Sequence, residues 1–260
     1  MKGNLYHAGD TKAKVSIQSV SKVFTAALLM QENKPAFIKS KIGVNSTGAP
    51  FNSLIPIENN EGSASNPFVN AGAIQTVSFI SPGVSSLERW KIISKNMDNF
   101  AGDQLLVNND VYKSELANNK HNQAISKFLD AYGRMGTNAL EAVKVYTKQC
   151  SINISSENLA VMGATLANDG VNVITKQRIL DKTYSSKVMA IMATNGLYEN
   201  TGSWLYETGT PAKSGVSGTF LMVVPGKFGI GIISPPLDKH GNSVRAQLAG
   251  KYIIDRLNLN

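Results

Sequence analysis

The chain has 260 residues, 42% of them hydrophobic, which is enough for one large domain or two closely packed subdomains. Its formal net charge is +8, but the lysines are scattered and form no basic run interleaved with aromatic residues, so a solvated surface is favoured over a nucleic-acid site. The single cysteine, Cys150, excludes an intrachain disulfide, and the three histidines have no metal-ligand spacing, so we expect a reducing compartment and chemistry without a metal cofactor.

The first predicted elements are a short strand and a long helix. Residues 4–8 indicate the end of a strand, and Gly9-Asp10 indicate the turn after it. No apolar segment typical of a signal peptide follows Met1, and no apolar run reaches the length of a membrane span. We therefore expect a cytoplasmic protein with no membrane partner. A helix is predicted from Ser19 to about Asn33.

That helix opens on the tetrad Ser19-Val20-Ser21-Lys22, which has the pattern S-x-x-K. A serine hydroxyl needs an adjacent base to act as a nucleophile at neutral pH, and a lysine three residues later lies on the same helix face. Such a lysine accepts a proton only if burial keeps its amine neutral, and the apolar residues that follow at helical spacing can bury it. The alternative is a serine cap followed by a solvated lysine.

The rest of the chain predicts a helical region and then a hairpin. Residues 43–67 are rich in Gly, Asn, Ser and Pro and predict a long loop, whereas residues 70–187 have a mainly helical pattern. Two strands, Thr219–Val224 and Phe228–Ile233, are predicted around a tight turn. A last helix is predicted with an apolar stripe formed by Ala246, Ala249, Ile253 and Leu257.

These elements predict an α/β (α+β) fold with an antiparallel sheet flanked by the N- and C-terminal helices, plus an all-helical subdomain. We expect a sheet-plus-helix subdomain from residues 1–45 and 195–260, and a mainly helical subdomain from residues 46–194. A catalytic cleft is expected between them, because pockets are commonest at such boundaries.

A second motif, Lys213-Ser214-Gly215, directly precedes the first C-terminal strand. Together with S-x-x-K it supplies two of the three signatures of serine β-lactamases and penicillin-binding proteins, in the same order along the chain. The sequence therefore resembles that β-lactamase/transpeptidase-like group, in which the late strand can form an oxyanion hole for a substrate carbonyl. The alternative for Lys213 is an ordinary loop lysine.

Longer blocks of sequence resemble one family with this fold, the serine-dependent glutaminases. They run in order from about Tyr6 to Asn242 and include Ile17 through Phe24, Phe51 through Ser53, Asn66 through Ile74, Tyr146 through Ile152, Met162 through Gly170, Met192 through Tyr198 and Pro211 through Gly218. The resemblance implies a hydrolase that converts L-glutamine to L-glutamate and ammonia without any cofactor. It also implies a homo-oligomer, either a dimer or a tetramer.

The resemblance further implies a role for each matching residue. Ser19 would be the nucleophile that forms a γ-glutamyl ester, Lys22 its general base, and Tyr198 a proton shuttle. Tyr146 would line the pocket, and the backbone N–H of Val216 would bind the substrate carbonyl oxygen. The amino-acid end of glutamine would be held by Asn70, Glu115 and Asn122.

These last three residue types suit that task, because a carboxylate pairs with the substrate ammonium and neutral donors pair with its carboxylate. Their spacing of seven also predicts that Glu115 and Asn122 share one helix face. The alternatives are a solvated acid at Glu115, a helix cap at Asn70, and half-buried positions at the edge of the core for Tyr146 and Tyr198.

Compared with that family, the chain starts late, so we expect a helix and a strand to be missing, with an exposed sheet edge and one substrate donor fewer. A pseudoenzyme or binding protein that keeps the pocket without turnover is therefore a competing hypothesis. A penicillin-recognising enzyme of the same fold is another; the absence of a visible signal peptide and the glutaminase-like block Asn66 through Ile74 argue against it.

Overall fold

The computed structural model describes residues 3–259. The helices are α1 (Ser21–Asn33), α2 (Pro35–Lys41), α3 (Ile55–Asn59), α4 (Asn70–Phe79), α5 (Ser86–Ala101), α6 (Asn109–Ala117), α7 (Lys120–Ala131), α8 (Ala139–Cys150), α9 (Ser156–Ala167), α10 (Lys182–Asn195), α11 (Thr201–Thr208) and α12 (Val244–Arg256). The strands are β1 (Val15–Ser16), β2 (Asn153–Ile154), β3 (Ala212–Ser214), β4 (Thr219–Val224) and β5 (Phe228–Ile233). Single turns of 3-10 helix, Gln18–Val20 and Tyr198–Asn200, precede α1 and α11. Over residues 3–259, every helix is too short or too polar to cross a membrane.

Helix α1 lies at the centre of the helical region and carries Lys22 in its first turn. It packs against α2, α4, α5 and α10. Because neighbours surround it, nearly its whole length is buried, and Val23, Phe24 and Ala27 join the main hydrophobic core as the apolar spacing predicted. The same packing buries Lys22. On an amphipathic surface helix, a lysine would instead lie on the solvent-facing side.

The C-terminal strands form an antiparallel sheet in the order β3-β4-β5. The β4–β5 hairpin has the strand bounds that the sequence predicted, and its turn contains Gly226 with a φ of +71°. Successive side chains along β4 point to opposite faces of the sheet. Leu221 faces the main core, whereas Phe220 and Met222 pack in a second cluster with Trp204.

Helix α9 covers one face of the sheet at unusually close range. A Cβ atom added at Gly229 on β5 would collide with the Ala164 nitrogen, and one at Gly231 would collide with the Ser156 carbonyl. On the helix side, a Cβ at Gly163 would approach the side chain of Leu221. Glycine is therefore required on both surfaces, because a larger residue would push α9 away from the sheet.

Helix α12 covers the opposite face, but of its predicted apolar stripe only Ala246 is fully buried. The buried residues are Ala246, Gly250 and Ile254, one every four positions, whereas Ala249 and Leu257 are exposed. Gly250 is buried against the Met222 sulfur and the Trp204 ring, which leave no space for a side chain at this position. A glycine on the buried face carries no hydrophobic signal, so after Ala246 the apolar spacing indicated the wrong positions.

Two further expectations near the N-terminus need correction. Within the described residues, 3–8 form no strand; the first strand is β1, which pairs with β2 far along the chain. The predicted loop of residues 43–67 contains one short helix, α3, which starts with Pro56 in its first turn, a position where proline is well tolerated.

We expect Gly229→Ala to lower the free energy of unfolding by about 1–3 kcal/mol, because the added methyl group overpacks the α9–β5 contact. The measurement is the midpoint of urea unfolding followed by circular dichroism. The control is Gly202→Ala in α11, where a Cβ meets nothing within 4 Å; this substitution should leave stability unchanged or raise it by up to about 1 kcal/mol. Equal midpoints for the two variants would contradict the proposed close packing.

Candidate active site

The predicted nucleophile and base lie where the 3-10 turn passes into α1. Ser19 is inside that turn and Lys22 is in the first turn of the helix, and both side chains are buried. The residue before the serine, Gln18, has a φ of +50°, a left-handed conformation that is uncommon outside glycine. The serine therefore sits directly after a strained residue, as functional residues often do.

The Lys22 amine is fully enclosed and hydrogen-bonded. Its Nζ donates to the Asn70 Oδ1 at 2.7 Å and to the Phe68 carbonyl at 3.1 Å. Burial lowers the pKa of Lys22 to about 7, with the Cys150 thiol acting weakly in the opposite direction. A large fraction of the amine is consequently neutral near pH 7, as a general base must be.

The turn just before α4 and the first residue of that helix supply these two acceptors. The Asn66 side chain accepts hydrogen bonds from the backbone N–H groups of Phe68 and Val69 at 2.9 and 3.2 Å, which fixes the turn. A Cβ at Gly72 would collide with the Asn66 carbonyl, so glycine lets α4 approach the turn. The backbone N–H of Asn70 donates to the Phe51 carbonyl at 2.8 Å and ties the turn to the preceding loop.

Asn70 also contacts two other predicted site residues. The Tyr146 hydroxyl donates to the Asn70 Oδ1 at 3.1 Å, and the Asn70 Nδ2 donates to the Asn122 Oδ1 at 3.0 Å. Burial raises the pKa of Tyr146 well above its ordinary value, so its hydroxyl keeps its proton and acts as a donor. Lys22, Asn70, Tyr146 and Asn122 therefore form one continuous hydrogen-bonded cluster.

Glu115 is exposed and belongs to α6, whereas Asn122 belongs to α7, so the prediction that they share one helix face is wrong. The chain leaves helical geometry at Asn118 and Asn119 between the two helices, and both are residues of low helix propensity. Glu115 is nevertheless near the nucleophile, because the Gln18 Nε2 donates to its Oε1 at 3.4 Å.

Tyr198 lies beside Ser19 and is held against a second buried lysine. Its hydroxyl is buried and donates to no group within the described residues. Burial raises the pKa of Tyr198 above its ordinary value, and the neighbouring Ser19 hydroxyl partly offsets the rise. Lys213 Nζ is 4.1 Å from the centroid of the Tyr198 ring, and burial, together with the charge of Lys22, lowers the pKa of Lys213 well below its usual range.

Val216 follows β3 and is 43% exposed. From residue 3 to residue 259, no acceptor pairs with its backbone N–H, so this donor is available to a ligand. The end of β3 lies close to the segment before the nucleophile. Gly215 has no room for a Cβ beside the Ile17 carbonyl, and the Thr219 hydroxyl donates to that carbonyl at 3.2 Å.

The structure thus links most of the predicted residues and adds three that the site prediction did not include. The additions are Gln18, Phe51, whose ring centroid is 4.9 Å from that of Tyr198, and Lys213. Lys213 carried a sequence signal in its K-S-G motif. Neither the left-handed backbone at Gln18 nor the ring contact of Phe51 has a local signature, so neither could be assigned a place in the site.

The sequence is similar to proteins of one family over its whole length. The sequence model of that family, Glutaminase, matches residues 1–260. A glutaminase from Colwellia psychrerythraea is 46% identical over 258 residues, which cover 99% of this chain and 83% of that protein. Glutaminase 2 from Yersinia pestis is 44% identical over 258 residues, which cover 99% of this chain and 76% of that protein.

Solved structures of similar proteins agree with this match. A protein named "Probable glutaminase ybaS" superposes with a TM-score of 0.97 at 42% identity, covering 99% of this chain and 83% of that one. A Bacillus glutaminase superposes with a TM-score of 0.95 at 31% identity, covering 99% of this chain and 88% of that one. The chain therefore belongs to the glutaminase family and has its β-lactamase-like fold.

Proposed function

We propose that this protein hydrolyses L-glutamine to L-glutamate and ammonia through a γ-glutamyl ester on Ser19, with Lys22 as general base. The observation that carries the proposal is the buried amine of Lys22, which follows Ser19 by three residues and has a pKa of about 7. A base with a pKa near the operating pH combines a useful neutral fraction with sufficient basicity. Membership of the glutaminase family supports glutamine as the substrate.

In the proposed complex, charge complementarity orients the amino-acid end of glutamine. The Glu115 carboxylate pairs with the substrate ammonium, and the amide N–H groups of Asn70 and Asn122 donate to its carboxylate. Tyr146 lines the pocket between them and keeps Asn70 in place through its hydroxyl. This arrangement directs the side-chain amide toward Ser19.

In the acylation step, the Ser19 Oγ attacks the side-chain carbonyl carbon while its proton passes to the Lys22 Nζ. Negative charge develops on the carbonyl oxygen, where the free N–H of Val216 and the N–H of Ser19 itself donate to it. The tetrahedral intermediate collapses by breaking the C–N bond, and the leaving nitrogen takes a proton through Tyr198. Ammonia leaves and the γ-glutamyl ester remains on Ser19.

In the deacylation step, a water molecule attacks the ester carbon and gives its proton to Lys22. The second tetrahedral intermediate breaks the bond to the Ser19 Oγ, which recovers a proton. Glutamate is released and the free enzyme is restored. Each proton taken by the Lys22–Tyr198 pair in one half of the cycle is returned in that half.

The proposal also places the catalytic cleft between a sheet-plus-helix subdomain, residues 1–45 and 195–260, and a mainly helical subdomain, residues 46–194. The origin of the site residues supports this division. Four of them come from the first part and four from the second: Ser19, Lys22, Tyr198 and Val216, and Asn70, Glu115, Asn122 and Tyr146. We further propose that the protein assembles as a homo-oligomer.

We expect Ser19→Ala to abolish ammonia release from L-glutamine, with a loss of about 10³-fold or more, because no other nucleophile can form the ester. The measurement is a coupled ammonia assay on purified protein. L-Asparagine serves as the specificity substrate and should give little release, because it is one methylene shorter and its amide would not reach Ser19.

Ammonia release that survives in Ser19→Ala would contradict the mechanism. Binding of glutamine without turnover by the folded wild-type protein would favour the pseudoenzyme hypothesis. Covalent labelling of Ser19 by a fluorescent penicillin would favour the penicillin-recognising alternative.

We expect kcat/KM to rise with pH through a midpoint of about 7, because Lys22 accepts a proton only when it is neutral. One pH unit below that midpoint, activity should be about tenfold below its plateau. Lys22→Arg keeps a long cationic side chain but cannot deprotonate, so it should be inactive at every pH tested. The proposal fails if Lys22→Arg retains a wild-type pH profile.

A further inference from the structure

The side chain of Asn70 lies between the proposed base and the proposed substrate site. Its Oδ1 accepts hydrogen bonds from the Lys22 Nζ at 2.7 Å and from the Tyr146 hydroxyl at 3.1 Å. Its Nδ2 donates to the Asn122 Oδ1 at 3.0 Å. An amide oxygen has two lone pairs, so both acceptor positions of Asn70 are filled before any substrate enters.

The hydrogen bonds of Lys22 match those of a neutral amine. A neutral amine carries two N–H groups and one lone pair in a tetrahedral arrangement, whereas an ammonium carries three N–H groups. Lys22 has two acceptors within the described residues, the Asn70 Oδ1 and the Phe68 carbonyl. When both N–H groups are used in this way, the lone pair occupies the remaining position of the amine and faces neither of these two acceptors.

The orientation of the Asn70 amide decides whether this arrangement exists. If the amide turned over, its NH₂ group would face both the Lys22 amine and the Tyr146 hydroxyl, and Lys22 would lose an acceptor. The Asn122 Oδ1 favours the observed orientation, because an amide oxygen only accepts and it faces the Asn70 nitrogen. The Tyr146 hydroxyl favours the same orientation by donating to the oxygen.

We propose that Asn70 is a positioning residue for Lys22, and that the chain Asn122–Asn70–Lys22 aims the amine lone pair at Ser19. The proposal rests on the glutaminase function described above and adds to the substrate-binding role of Asn70. In this proposal, one amide, that of Asn70, orients both the substrate carboxylate and the Lys22 base. Loss of Asn70 therefore affects the chemical step as well as substrate affinity.

The other groups around Lys22 leave the amine without a direct anionic partner. Helix α8 presents the Cys150 thiol and Tyr146, the 3-10 turn before α11 presents Tyr198, and β3 presents Lys213. Three aromatic rings complete the surroundings, with centroids 5.9–6.0 Å from the Lys22 Nζ: Phe51, Tyr146 and Tyr198. No carboxylate hydrogen-bonds to Lys22 within residues 3–259, and the charge of the exposed Glu115 raises the pKa values of Tyr146 and Cys150 but is not among the causes of the Lys22 shift. A carboxylate introduced at residue 70 would therefore be a new and direct partner.

The test is Asn70→Asp, which keeps an oxygen acceptor for Lys22 but adds a negative charge. We expect the midpoint of the pH profile for kcat to rise by about one unit or more, because the carboxylate stabilises the ammonium form. At pH 7, kcat should fall about fivefold or more and recover as the pH is raised. The same shift should appear in the ¹³Cε resonance of Lys22 in lysine-labelled protein, assigned by its absence in Lys22→Met.

The matched control is Asn96→Asp. Asn96 is also buried and its Nδ2 donates to a carbonyl of α1, that of Phe24 at 3.0 Å, but it does not touch Lys22. This variant should leave the Lys22 midpoint and the pH profile where they are in the wild type. If Asn70→Asp raises KM while the midpoint of the kcat profile and the midpoint of the Lys22 NMR titration stay unchanged, Asn70 is a substrate ligand only and the proposal is overturned.

The NMR titration keeps this proposal separate from the glutaminase function, because it needs no turnover. If wild-type protein shows no Ser19-dependent ammonia release, the proposed function fails, and the Lys22 resonance still decides the role of Asn70.

If Asn70→Asp does not fold, Asn122→Asp and Asn122→Ala replace it. The aspartate retains an acceptor for the Asn70 Nδ2 and should retain more kcat than the alanine; equal kcat values would overturn the proposal.

Discussion

Burial of the Lys22 amine inside the core is the constraint on which the rest of the site depends. An ammonium removed from water carries a large desolvation cost unless a charge or several acceptors compensate it. Here the compensation comes from two neutral oxygens, those of Phe68 and Asn70. A charge on Lys22 would also disfavour a charge on the second buried lysine, Lys213, whose pKa it lowers further. The neutral amine is therefore the form that this fold accommodates best, and it is also the form that the proposed chemistry requires.

Meeting this constraint requires contacts between distant parts of the chain. The acceptors of Lys22 are 46 and 48 residues away in sequence, and they reach it because a side-chain-capped turn at Asn66 packs tightly on α4. The oxyanion donor proposed at Val216 comes from the other end of the chain. Gly72 permits the first approach and Gly215 the second, since a Cβ at either position would collide with backbone. The packing of the core thus determines the distances between the residues of the site.

Sequence could predict those parts of the site whose chemistry is local. The tetrad from Ser19 to Lys22 and the K-S-G motif are visible because neighbouring residues along one element define them, and the β4–β5 hairpin because a tight turn separates two apolar runs. The division between α6 and α7 was missed because a spacing of seven fits one helix as well as two. The contact between Lys22 and Asn70 depends on a turn geometry with no periodic signature. For the same reason, a resemblance could give Asn70 a place at the site without indicating that its oxygen faces the lysine.

Two residues next to Ser19, Gln18 along the chain and Tyr198 in space, have strained backbones, and both are stabilised in the same way. Gln18 and Tyr198 have φ values of +50° and +56°, which cost free energy for side chains other than glycine. In each case a hydroxyl three residues later donates to the carbonyl of the strained residue at 2.7 Å, from Ser21 to Gln18 and from Thr201 to Tyr198. A strained backbone conformation persists only where the surrounding contacts hold it in place. The second serine of the S-x-x-K tetrad thereby gains a structural purpose: Ser21 holds the backbone that presents Ser19, as Thr201 holds the backbone that presents Tyr198.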